Sequence, residues 1–145
     1  MRQTIILALA IILGLYVFVE RNDWFFEKSV HSTDEISETI SKLFANKVSN
    51  VQVEGSGRVK AILKDDLQGS RHQRFILAMP AGNTVLISHN IDLAPRIDNL
   101  NIGDRVSFYG EYEWNNKGGV VHWTHHDPRK KHVDGWLKHN GRTYR

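Results

Sequence analysis

The chain has 145 residues, 41% hydrophobic and 24% charged, with a formal net charge of +3, and it contains no cysteine. That length holds one domain plus an anchor. The lack of cysteine excludes a disulfide framework, a thiolate metal site and a cysteine nucleophile, and so small a net charge does not make a committed nucleic-acid binder.

Residues 3–19 are almost wholly apolar and uncharged. They fall at the short end of the roughly 17–25 residues that cross a bilayer. The stretch ends in Tyr16-Val17-Phe18-Val19, without the small residues of a cleavage site. It predicts an uncleaved transmembrane anchor over residues 1–22. Arg2 and the terminal amine favour a cytoplasmic N-terminus, with Arg21 pulling the other way, and Trp24, Phe25 and Phe26 suit the headgroup level.

A juxtamembrane segment with one short amphipathic helix is predicted over residues 23–50. Ser32 and Glu35 match a capping box. Ile36, Ile40, Leu43 and Phe44 then share one helical face, and the helix should end near Asn46 or Lys47.

From Val48 the hydrophobic period becomes two, which is the strand period. Val51, Val53, Val59, Ala61 and Leu63 make a long first strand. Gly55-Ser56-Gly57 within it suggests a bulge or bend. The second strand, 71–79, puts Phe75, Leu77 and Met79 on one side. The third spans 84–89. Residues 90–100 are a proline-bearing linker with at most one helical turn. The fourth strand, 104–114, carries Val106, Phe108, Tyr112 and Trp114 on one face. Asn115 to Gly119 form a turn rich in residues that tolerate positive φ. The fifth strand spans 120–124, and Asn140-Gly141 reads as the tight turn of a C-terminal hairpin.

The predicted fold class is mainly β: a small five-stranded OB-like barrel over residues 51–145 with a C-terminal hairpin, preceded by the transmembrane helix and the short amphipathic helix. An SH3-like or other small β-barrel is the alternative. In the OB-like arrangement the first strand pairs with the second and fourth, the second with the third, and the fifth lies near the third.

Three residue groups carry chemistry. Val120-Val121-His122-Trp123-Thr124-His125-His126-Asp127-Pro128 concentrates three of the eight histidines. Imidazole is a common metal ligand and titrates near physiological pH. A group of His122, His125, His126 and Asp127, joined by His89 or His132, suits zinc best, with copper or nickel possible. Strand alternation keeps His122 and His125 on opposite faces unless the strand breaks, and Asp127-Pro128 favours a break.

The second group, at the end of the third strand, offers His89 as a general base, Asp92 to orient it and Arg96 to hold a phosphate or carboxylate. Ile91-Asp92-Leu93-Ala94-Pro95 resembles the Ile-Asp-Ala-Pro-Glu segment of staphylococcal-nuclease-like domains. It departs from that pattern by the extra Leu93, by Arg96 in place of Glu, and by lacking the Asp-Gly-Asp-Thr segment. The third group is a ligand-binding surface of Arg71, His72, Arg74 and Trp123.

Gly57-Arg58-Val59, Ser70-Arg71-His72-Gln73-Arg74-Phe75, the HNIDLAPR block from His89, Gly110 to Asn115, and the GGVVHWTHHDP block from Gly118 together resemble an uncharacterised bacterial family of small exported or membrane-tethered proteins, a domain of unknown function. The resemblance covers roughly residues 53–144. It implies a bacterial envelope location and carries no activity or site residues with it. The expectation is therefore an inner-membrane, single-pass protein with a periplasmic binding module. It would meet an unknown polar or anionic ligand or an envelope protein near the third- and fifth-strand ends, and nucleic acid is a less favoured partner. A metal-dependent hydrolase, possibly phosphodiesterase- or nuclease-like, is the alternative.

Overall fold

The computed structural model describes residues 38–145. The predicted anchor, the aromatic residues that follow it and the Ser32/Glu35 capping box lie outside the described residues. Among the described residues, no helix is long and apolar enough to cross a membrane.

Among the described residues, seven strands follow a helical segment, 38–45: β1 (Val51–Ile62), β2 (His72–Ala78), β3 (Thr84–Asn90), β4 (Arg105–Glu113), β5 (Val120–His122), β6 (Trp136–His139) and β7 (Arg142–Tyr144). The first half of β1 pairs antiparallel with β4, from Val51 opposite Tyr112 to Arg58 opposite Arg105. Its second half pairs with β2, from Arg58 opposite Ala78 to Ile62 opposite Phe75. One strand thus serves two neighbours and closes the sheet. The order is β1-β2-β3-β5-β4, returning to β1, with β3 and β5 parallel. These are the pairings predicted from the strand order.

Alternation decides what fills the barrel. Val53, Val59, Phe75, Leu77, Val85, Ile87, Val106, Phe108, Tyr112 and Val121 all point inward and are buried. Removing one large apolar side chain of this kind from water contributes about 1.5–3 kcal/mol. The Gly55-Ser56-Gly57 segment does not bulge as expected: its ladder with β4 runs unbroken. The register shift falls instead between Val59 and Ala61, where β1 faces β2. The glycines serve close approach. A Cβ on Gly55 would lie 2.5 Å from the Phe108 ring, and one on Gly57 would lie 2.8 Å from the Ala78 carbonyl oxygen.

The connector 91–104 forms turns rather than a helix. It closes one side of the core with Ala94, Ile97 and Leu100, all buried. The buried Gln73 holds it: the amide Nε2 donates to the Ile97 carbonyl at 2.8 Å, and Oε1 accepts from the Ile97 N–H at 2.9 Å. The helix packs by Ile40 and Leu43 against the same core. It ends where expected, with Lys47 at a φ of 54°. The Val48 N–H reaches the Leu43 carbonyl and the Lys47 N–H reaches the Phe44 carbonyl, the paired bonds of a Schellman cap. Trp114 ties helix to barrel, its indole N–H donating to the Phe44 carbonyl at 3.1 Å.

The C-terminal hairpin turns at Asn140 and Gly141, both at positive φ (47° and 77°), as a two-residue primed turn requires. Its first strand, β6, lies on the edge of β4 that β5 also uses. β5 faces 111–113 and β6 faces 106–109 of β4. Both run antiparallel to β4, so they lie end to end. Residues 123–135 leave that edge between them and return to it.

Candidate functional site

The predicted fifth strand stops at His122 because Trp123 has a φ of 51°. A bulky aromatic residue is rarely left-handed, and such strain persists only where surrounding contacts enforce it. Here the Trp123 ring stacks on His132 at 3.6 Å between centroids and 13° between planes, with His125 5.5 Å away. The loop neck is closed by the Gly135 N–H, which donates to the His125 carbonyl at 2.9 Å.

Inside the loop, Asp127 acts as a knot. Its carboxylate accepts from the backbone N–H groups of Arg129, Lys131 and His132 at 2.7–3.0 Å. These bonds, led by that of Arg129, hold its pKa at about 2. Asp134 accepts from the Asp127 N–H and pairs with the exposed His126 at 2.7 Å. The carboxyl of Asp134 is held below its ordinary range, chiefly by the Asp127 N–H.

A cleft of about 300 Å³ opens where β3 and β5 end, lined by Ser70, His72, Ser88, Asn90, Asp92, Leu93, His122, Trp123, His125 and Arg129. The parallel β3–β5 register, Leu86 opposite Val120 and Ile87 opposite Val121, carries Ser88 alongside His122. Two of the cleft imidazoles have settled tautomers. His125 Nδ1 faces the His126 carbonyl at 2.8 Å and His72 Nδ1 faces the Ser70 carbonyl at 2.7 Å. A carbonyl only accepts, so each Nδ1 carries a proton.

The sequence-derived groups are distributed as follows. Of the ligand-binding set, His72 and Trp123 line the cleft. Arg71 instead pairs with Asp92, its Nε 2.6 Å from Oδ1, and Arg74 donates to the Lys64 carbonyl. The Arg71 contacts, first its backbone N–H, lower the Asp92 pKa. Of the catalytic set, Arg96 is held by Asp65 at 3.0 Å and by Asp98 at 3.4 Å. His89 is fully buried, with Nδ1 at 2.9 Å from Thr124 Oγ1 and Nε2 at 3.2 Å from the Pro95 carbonyl. It does meet the histidine run, its ring 6.5 Å from that of His125, but neither nitrogen is left for a ligand.

The metal set is not gathered at one point. His122 points out from β5, His125 is turned to its own backbone, His126 faces Asp134 and Asp127 is filled by N–H groups. Among the described residues, the side chains that do converge are Glu111, Glu113 and His122, their ligand atoms within 4.8 Å of one another. Burial pushes the His122 pKa down, with Glu111 and Glu113 opposing. Parity was the available signal for the glutamates. On β4 they alternate with Phe108 and Tyr112, so they face out beside His122.

The sequence profile of the family described as protein of unknown function (DUF3465) matches residues 24–145. The chain belongs to the DUF3465 family. The match takes in the helix as well as the barrel. No curated protein matches the sequence.

The buried His89 gives this DUF3465 barrel a pH dependence. Burial pushes its pKa from 6.5 to about 4, with the contacts to Pro95 and Thr124 opposing. The unfolded chain therefore binds a proton between those values that the folded chain refuses. Stability is fully present above pH 6.5 and is lost as pH falls towards 4, by roughly 3 kcal/mol at 1.36 kcal/mol per unit. His122 acts in the same direction. Urea denaturation at stepped pH should show this slope, and His89→Gln should flatten it. An unchanged slope in His89→Gln would assign the effect elsewhere.

Proposed function

We propose that the chain is a membrane-tethered, OB-like binding module that takes a small polar ligand bearing an anionic group. In this reading residues 1–22 stay in the inner membrane of a bacterial cell and the barrel faces the periplasm. The observation that carries the binding reading is the cleft at the β3 and β5 ends. It combines the Arg129 guanidinium, three imidazoles, two serine hydroxyls, the Asn90 amide and the Trp123 ring. A volume of about 300 Å³ sits at the small end of ligand pockets and suits a sugar phosphate or mononucleotide better than a polymer strand. Asp92, the one carboxylate lining it, is neutralised by Arg71.

A second reading, a metal-dependent hydrolase acting on phosphodiesters, draws support from His122, which lines the cleft and also faces Glu111 and Glu113. It needs a base other than His89.

The test uses the full chain in mild detergent, titrated with inorganic phosphate, glucose 6-phosphate and adenosine monophosphate, and read by amide NMR shifts. Saturable shifts at Ser88, Asn90 and Trp123, weakened at least tenfold by Arg129→Ala, are expected. Equal, non-saturating responses in parent and variant would refute the reading. Release of a phenol from a chromogenic phosphodiester, lost in His122→Gln, would favour the hydrolase. Sequencing of the mature N-terminus and protease accessibility in spheroplasts check the anchor and its orientation.

A further inference from the structure

We propose that Glu111, Glu113 and His122 form a binding site for one divalent first-row transition ion, zinc foremost, with His132 at its edge. The β4–β5 ladder sets Glu111 opposite His122 and Glu113 opposite Val120. Residues two apart on a strand share a face, so both carboxylates and the imidazole project together from two hydrogen-bonded strands. Their ligand atoms lie within 4.8 Å of one another. Unlike the loop histidines, all three stand on regular backbone, which fixes their spacing.

The distances are compatible with donors placed around one ion. His122 Nε2 lies 3.7 Å from Glu111 Oε1, and His132 Nδ1 lies 3.7 Å from the other Glu111 oxygen, Oε2. Both are longer than the roughly 2.7–3.2 Å of a hydrogen bond. They are close to the approximately 3.4 Å that separates two donors each about 2.1 Å from one tetrahedral ion. His122 Nε2 is moreover buried with no hydrogen-bond partner. A buried ring nitrogen without a partner is costly unless something fills its valence. His132 is held beside the site by its stack on Trp123.

The donor chemistry narrows the ion. Two carboxylates and one or two imidazoles, with no sulfur, suit zinc and its neighbours among the divalent metals. Calcium takes oxygen ligands and would leave His122 unused, and magnesium keeps most of its waters. The proposal does not require the cleft to bind an anion: the two sites share His122, but both carboxylates lie outside the residues that line the cleft.

The experiment uses the full chain in detergent, carrying no polyhistidine tag and stripped with chelator, titrated calorimetrically with Zn²⁺ and spectroscopically with Co²⁺. One ion per chain is expected, with the visible absorption of four-coordinate cobalt. Glu111→Gln, Glu113→Gln and His122→Gln should each weaken zinc binding at least tenfold while near-ultraviolet circular dichroism shows a folded barrel. His126→Ala, whose side chain pairs with Asp134, should bind as the parent does. Equal zinc affinity in the parent and in Glu113→Gln, the substitution furthest from the loop, would overturn the site. So would loss of binding in His126→Ala, or displacement of zinc by equimolar Ca²⁺.

Discussion

Gly135→Ala is expected to lower stability by about 3 kcal/mol, the upper part of the range for forced overpacking, and to drop Tm by roughly 10–20 °C for a domain of this size. A Cβ at 135 would strike the carbonyl oxygens of Trp123 and Tyr109 and come within 2.9 Å of Thr124 Cα. All three are backbone atoms. Tyr109 belongs to the β4–β6 ladder, and Trp123 and Thr124 lie where the chain leaves β5. None can rotate aside as a side-chain tip would. Relief requires β6 to slide or the loop neck to open, and the neck bond from the Gly135 N–H to the His125 carbonyl is lost in either case. The Trp123–His132 stack should loosen with it, so the tryptophan circular dichroism should change before the barrel melts. Thermal melts of parent and variant within a few degrees of each other would show that the neck is not tight.

Gln73→Leu is expected to cost about 1–3 kcal/mol, the cost of leaving one buried polar group, the Ile97 N–H, without its partner. The substitution keeps most of the side-chain volume and removes both bonds to Ile97. The Ile97 N–H is then stranded inside the barrel, and the Ile97 carbonyl keeps only the 3.4 Å bond from Arg96 Nη1. Gln73 serves in effect as a one-residue strand, tying the connector 91–104 to β2 where no ladder reaches. Urea denaturation measures the cost. Hydrogen exchange locates it, since the Ile97 amide should change from protected to fast-exchanging while the β2–β3 amides stay slow. A variant as stable as the parent, with Ile97 still protected, would show that the connector is held by apolar packing alone.

Alternation made most of the barrel legible. Phe75, Leu77 and Met79, and then Val106, Phe108 and Tyr112, mark inward faces without ambiguity, and the turn residues Asn115 to Gly119 and Asn140-Gly141 lie where the chain reverses. The closing pattern of neighbours followed from five strands in that order. What parity does not convey, the partner of an inward-pointing polar side chain, was not legible. Gln73 sits in phase with Phe75 and must point inward, yet nothing local names Ile97 as its partner. The buried His139, 2.8 Å from Asp104, likewise joins positions far apart in the chain. Trp123 lacks the glycine or asparagine chemistry that announces positive φ, so alternation alone carries the strand on to Thr124. That extension kept His122 grouped with its sequence neighbours. Glu111 opposite it, and Glu113 two residues further along β4, come beside it only when the β4–β5 register is applied.

The collinearity of β5 and β6 has an architectural consequence. His122 stands opposite Glu111 and Trp136 opposite Tyr109, so the ladder skips a single rung, at Gly110. One residue in place of 123–135 would keep both halves in step. The histidine-bearing excursion 123–135 is thus a detour from an edge whose two halves already lie in step, so the barrel's hydrogen-bond pattern does not depend on the length of that loop.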